Sequence, residues 1–197
     1  MNKKSVAASI VTIFIAITAA VIGSCFVVFV YKDNIIKFEE VKVVAANGIS
    51  VYDDKKMEKT ISKLQLSDME LGLKPATGKV DAETKIPSTI TSDDTSEGYY
   101  EKIYVKSNSN YKIVVKDIVI KTTKNQTIAE GERENIFIAI EGVKNTTKTL
   151  EKDEFEIVRF EKVEEPQNLV LLFWLGANSG EELVGSKISF TIEFLAV

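Results

Sequence analysis

The residues of this chain that could bind or react are almost all carboxylates and hydroxyls, because its 197 residues include no histidine and a single cysteine. The missing imidazole removes the commonest general base, the usual catalytic zinc ligand and the usual charge switch near neutral pH. Asp93, Asp94 and Glu97 share one oxygen-rich stretch of the kind in which a hard cation such as calcium finds ligands, so they are the candidate metal ligands. Their spacing matches no calcium-loop pattern, and a solvated acidic loop is the expectation; no cofactor is assigned. The acid pairs Glu39-Glu40, Glu164-Glu165 and Glu181-Glu182 point to opposite faces of an extended chain, which suits solvated charge better than a catalytic dyad. No Ser or Cys nucleophile stands with a base, HExxH is absent, and no catalytic residue is assigned. Trp174 and Tyr99-Tyr100 could stack on a sugar, but core and cross-strand packing is the reading taken. Asn125-Gln126-Thr127 and Asn145-Thr146-Thr147 are glycan acceptors only in a glycosylating host.

The lone thiol, Cys25, belongs to a different setting. It sits in an uncharged apolar run, Ser5 to Tyr31, entered by Lys3 and Lys4 and left by Lys32 and Asp33. About 26 residues in a helix rise roughly 39 Å, enough to cross a hydrocarbon core of about 30 Å. The run is read as an uncleaved transmembrane anchor contacting membrane lipid, with residues 1–4 a cytoplasmic stub and residues 32–197 outside, because Lys3, Lys4 and the terminal amine precede it. The alternative is a cleaved secretory signal ending at Thr18-Ala19-Ala20 or Ile22-Gly23-Ser24, which would leave the greasy Phe26–Val30 at the start of the mature chain. Ile22-Gly23-Ser24-Cys25 resembles a bacterial lipobox. The apolar stretch that follows Cys25 argues against lipidation, since such a cysteine normally opens a polar tether. One cysteine also means that no intramolecular disulfide holds the exported part.

Beyond the run, about 165 residues make one ordinary domain with chain enough for a core. Without Lys3, Lys4 and Lys32 it has 22 basic against 29 acidic residues, a net charge of −7. Such a surface disfavours nucleic acid and anionic headgroups.

The elements that must carry these residues read as strands. Residues 35–46 are extended, with Phe38 out of phase with Val41 and Val43, which predicts a bulge near Glu39-Glu40. Asn47-Gly48 predicts a hairpin turn into a returning strand, 49–52. Met57, Ile61, Leu64 and Met69 recur at helical spacing, so a short helix is expected within 53–73, with an irregular strand plus loop as the alternative. Residues 74–98 hold two of the three prolines among Thr, Ser, Asp and Gly. They are expected to form a long surface loop too poor in apolar residues to fix itself. Alternation then predicts strands at 99–107, 111–122, 135–141, 154–163 and 187–197, with a second bulge near Lys116-Asp117 where the apolar phase moves. Residues 169–175 (LVLLFWL) are apolar on both faces and must be covered on both. Short strands at this spacing, with hardly any helix, predict an all-β antiparallel β-sandwich behind one N-terminal helix.

Leu172-Phe173-Trp174-Leu175-Gly176, Gly185 to Phe194 and Ala46-Asn47-Gly48-Ile49-Ser50 resemble segments of the TasA/camelysin-like surface proteins of Gram-positive bacteria. The resemblance spans most of 35–197. It implies a jelly-roll sandwich, export, and assembly into matrix or surface fibres. Phe26 to Asp33 departs from it, lacking the alanine expected after a cleaved leader, which favours a tethered domain over a free fibre subunit. Some members are described as metallopeptidases, but this chain lacks the histidines for that chemistry. Three roles are therefore carried forward: a structural or adhesive surface module that self-associates through edge strands, a tethered sensor or accessory subunit of an envelope complex, and, least favoured by the missing histidine, a hydrolase.

Overall fold

Among the described residues ten strands carry the fold: β1 (Ile35–Ala45), β2 (Ile49–Tyr52), β3 (Glu70–Gly72), β4 (Gly98–Ser107), β5 (Tyr111–Lys121), β6 (Ile136–Ile140), β7 (Lys148–Thr149), β8 (Glu154–Phe160), β9 (Gln167–Leu175) and β10 (Lys187–Ala196). The computed structural model describes residues 35–65, 70–72, 75–92, 97–128, 133–176, 183 and 185–197. The apolar run 5–31 with Cys25, and Asp93 and Asp94, lie outside the described residues. Among the described residues there is no α-helix, and none long and apolar enough to cross a membrane.

The strands form two five-stranded sheets, a front sheet ordered β3-β1-β10-β5-β8 and a back sheet ordered β2-β4-β9-β6-β7. Alternation explains how they meet. Ile113, Val115 and Ile120 of β5 and Ile188, Phe190, Ile192 and Phe194 of β10 point inward, as do Ile103 of β4 and Leu169, Leu171 and Phe173 of β9. Phe38 lies at the centre of this shared core, its ring edge-on to Phe173 at 5.4 Å and to Phe190 at 6.2 Å. Burying each such side chain contributes about 1.5 to 3 kcal/mol, which is how a chain with one cysteine holds together without a cross-link.

Both expected bulges are present. The β1–β10 register shifts between Phe38 and Glu40, and the β10–β5 register shifts between Ser189 and Thr191, opposite Asp117 and Ile118.

Four expectations are corrected. The sheets are not wholly antiparallel, since β1 and β10 pair in parallel. A parallel pair needs a long connection, and here nearly the whole domain lies between the two strands. Asn47-Gly48 does turn the chain, with Gly48 at φ +87°, but β2 pairs with β4 and not with β1, so the turn is a corner between sheets and not a hairpin. Gly48 also accepts from Asn108 N at 3.0 Å, which ties that corner to the β4–β5 turn.

The helix expected within 53–73 is absent from its described part. Ile61 N donates to Val51 O, Val43 N to Ser62 O and Leu64 N to Val41 O, all at 2.8 to 2.9 Å. The free edges of β2 and β1 take the hydrogen bonds that a helix would have used. Segment 60–64 thereby straps one side of the sandwich, with Leu64 fully buried.

The long loop is not loose either. Ile86 and Ile90 bury against Val170, Leu172, Trp174 and Ala139 on the outer face of the back sheet. Two isoleucines suffice because the strands have already built the apolar face on which they land. This flap, 75–92, is pinned at both ends and at its middle: Ala76 N donates to Leu175 O at 2.9 Å, Ser92 N to a Glu141 carboxylate oxygen at 3.0 Å, and Thr147 Oγ1 to Thr84 O at 2.6 Å. The two-faced run 169–175 is thus covered by the front sheet on one side and by the flap on the other.

Candidate functional site

The flap covers part of the outer face of the back sheet, whereas the outer face of the front sheet is open to solvent, and its two bulges shape it. Where β1 and β5 each insert an extra residue beside β10, the outer surface opens into a groove of about 380 Å³ lined by Glu39, Glu40, Lys42, Asp117, Val119, Lys121, Lys187, Ser189, Phe190 and Thr191. Asp117 adopts φ +55°, a conformation Asp tolerates better than most residues.

The strand register arranges the charges in transverse rows. At the mouth of the groove Lys37, Lys187 and Lys121 lie side by side on β1, β10 and β5. The inward-facing neighbours Ile36, Phe38, Ile188 and Ile120 put all three on the outer face. Thr127 bridges to Lys121 at one end of the row. Further along, Glu40 pairs with Lys42 at 3.4 Å, Lys116 with Glu193 at 2.8 Å, and Glu156 with Arg159 at 2.7 Å.

The bulge in β1 decides where Glu39 goes. An unbroken strand would point Glu39 and Glu40 to opposite faces, whereas the register shift leaves both exposed on the groove, correcting the expectation for this pair. Glu39 accepts from Lys187 Nζ at 3.0 Å. That hydrogen bond and the Lys187 charge, with smaller contributions from Lys121 and Lys37, hold its carboxyl below the usual carboxylate range. Lys116 is raised first by its hydrogen bond to Glu193 and then by the charges of Glu193, Asp117 and Glu154.

Gly185, at φ +68°, holds the start of β10 against the turn after β5. A Cβ there would lie 2.4 Å from Thr123 Cγ2, and the close approach sets Lys187 beside Lys121.

The other residues singled out by sequence fall elsewhere. The Glu97 carboxylate accepts from Thr77 N at 2.8 Å and Thr77 Oγ1 at 2.6 Å, clasping the start of the flap. Among the described residues no group of three or more acids or thiols is placed to hold a metal. Glu164 and Glu165 are exposed between β8 and β9, and Glu181 and Glu182 lie outside the described residues. Trp174 is 2% exposed and stacks on Phe137 at 5.3 Å, so its ring is spent on the flap's seat and not on a sugar. Tyr99 belongs to the inner core and Tyr100 packs against the flap cluster. Thr146, inside one glycan sequence, is fully buried and donates to Val143 O at 2.8 Å.

The lysine row escapes a reading of the sequence because its members are 66 to 150 positions apart in the chain and only the register unites them. Their one local signal is that each occupies the polar phase of its own strand. Two ammonium groups beside one shared carboxylate, with hydroxyls along the wall, can hold an anion or an acidic chain electrostatically. Comparison with family models, curated proteins and solved structures finds no match.

Proposed function

We propose that this chain is an exported surface protein, tethered through residues 5–31, whose β-sandwich has a structural or adhesive role outside the cell. The observation that carries the reading is β8. It ends the front sheet with seven residues, Glu154–Phe160, and among the described strands it pairs with β5 alone. The other sheet edges are blunted: β2, β3 and β7 have four, three and two residues. One long open edge is a surface on which another chain adds by main-chain hydrogen bonding. The resemblance of 46–50, 172–176 and 185–194 to TasA/camelysin-like proteins points the same way, to a jelly-roll module of a surface fibre or matrix.

The experiment is electron microscopy and light scattering of purified residues 33–197, with a cell-adhesion assay beside them. Both apolar clusters lie wholly between Ile36 and Phe194, so this piece carries its own core. Filaments or adhesion are expected, and a monomer that adheres to nothing overturns the role. N-terminal sequencing of protein taken from its native membrane tests the tether: a start at Met1 or Asn2 is expected, and a start at or beyond Cys25 removes the anchor.

The groove on the front sheet supports a second reading, a tethered sensor or accessory subunit of an envelope complex. Recovery of a membrane partner with the intact chain, together with failure to form filaments, would favour it over assembly.

A further inference from the structure

Like charges directly opposed across neighbouring strands are destabilising, and strands lie only about 4.8 Å apart. Lys187 and Lys121 break that rule. They are register partners on β10 and β5, they face the same solvent, and β8 does not reach them, since its pairing with β5 stops at Lys116. On the rest of the face lysines are matched with acids, as in Lys42–Glu40 and Lys116–Glu193. Glu40 and Asp117 line the same groove, and Glu39 is the carboxylate bonded to Lys187 while also lying in the field of Lys121 and Lys37. That carboxylate arrives there only because β1 bulges between Phe38 and Glu40. The arrangement is that of a cationic site occupied from within by an acidic group on a bulged stretch of backbone. The Ser189 hydroxyl lines the same groove two residues along β10.

We propose that Lys187 and Lys121, with the Ser189 hydroxyl, form a binding site for a phosphate group, and that Glu39 occupies it until the ligand displaces it. A phosphate fits because it offers three or more acceptor oxygens and up to two charges where Glu39 offers two oxygens and one, and lysines converging on long stems bind it as point charges. The site is independent of assembly through β8, and either can fail without the other.

The test titrates inorganic phosphate into residues 33–197 by calorimetry at low ionic strength, where exposed charges are least screened. The wild type should bind. Lys187→Gln and Lys121→Gln should each weaken binding about fivefold, and Glu39→Gln should tighten it about fivefold, the factor for one unit charge at about 4 Å in water. Lys106→Gln, on the exposed side of the back sheet, should change nothing, and thermal melts verify that each variant is folded. Absence of binding in both the wild type and Glu39→Gln overturns the site, as does a Glu39→Gln variant that binds more weakly or a Lys187→Gln variant that matches Lys106→Gln. Co-sedimentation with phosphatidylglycerol and phosphatidylcholine vesicles separates the sources. Retention on the anionic vesicles alone, lost in Lys187→Gln, assigns a lipid headgroup. Phosphate binding without retention assigns a soluble phosphate compound.

Discussion

The hydroxyl of Tyr111, at the start of β5, donates a hydrogen bond to the side-chain carbonyl of Gln167, at the start of β9, and so ties the front sheet to the back sheet through the core. Tyr111 is 1% exposed and lies between the rings of Phe160 and Phe194, at 5.3 and 6.3 Å. Burial raises its phenol well above the usual value, which favours the protonated, donating form. Tyr111→Phe keeps the ring and removes the link. A loss of about 1 kcal/mol is expected, read as a fall in Tm of about 2 to 4 °C.

Arg133 performs a comparable task at the second bulge. It is 3% exposed; its Nη1 donates to Ile118 O at 3.0 Å and its Nη2 pairs with Asp153 at 2.5 Å. The bulge leaves Ile118 without a register partner on either neighbouring strand, so its carbonyl depends on that guanidinium. Arg133→Ala should cost about 1 to 3 kcal/mol in urea unfolding, whereas Asp153→Asn should cost less than about 1, because Asp153 is 70% exposed and water replaces it.

The flap makes its own prediction, and the chain's single tryptophan reports on it. Ile90→Ala should weaken the seat of the flap by about 2 kcal/mol or more. Trp174 should then become wetter and its fluorescence shift to the red at denaturant concentrations below those that unfold the core. Coincident transitions in wild type and variant would mean that the flap and the sandwich unfold as one.

Glu101 gives the pH dependence. It lies on the inward phase of β4 between Tyr99 and Ile103, and burial raises its carboxyl above the ordinary value; the Gln65 N–H opposes that shift and the Asp53 charge adds to it. The fold therefore favours the protonated form. Its contribution to stability is complete below the ordinary carboxylate value and is lost as pH rises through the raised one. Glu101→Gln should melt higher than wild type at pH 7, with the gap closing below about pH 4. A gap that persists in acid would assign the effect to packing and not to charge.

Much of this architecture is legible one strand at a time. The alternation in 111–122 and 187–197, the phase jumps at Glu39-Glu40 and Lys116-Asp117, and the two-faced greasiness of 169–175 are all local, because a strand shows its faces with a period of two residues. Short edge strands such as β3 and β7, with three and two residues, hold too few periods to be seen.

What the amino-acid order determined by itself was the set of long strands, the absence of imidazole chemistry and the acidic surface. Tertiary structure alone decided that β1 lies parallel to β10, that Asn47-Gly48 turns between sheets, that Ile86 and Ile90 cap Trp174, and that Lys187 meets Lys121. The physical reason is that a strand's side-chain pattern says which face is dry, whereas its partner is chosen by main-chain hydrogen bonding between edges. Those edges are brought together from distant parts of the chain and carry no side-chain signature.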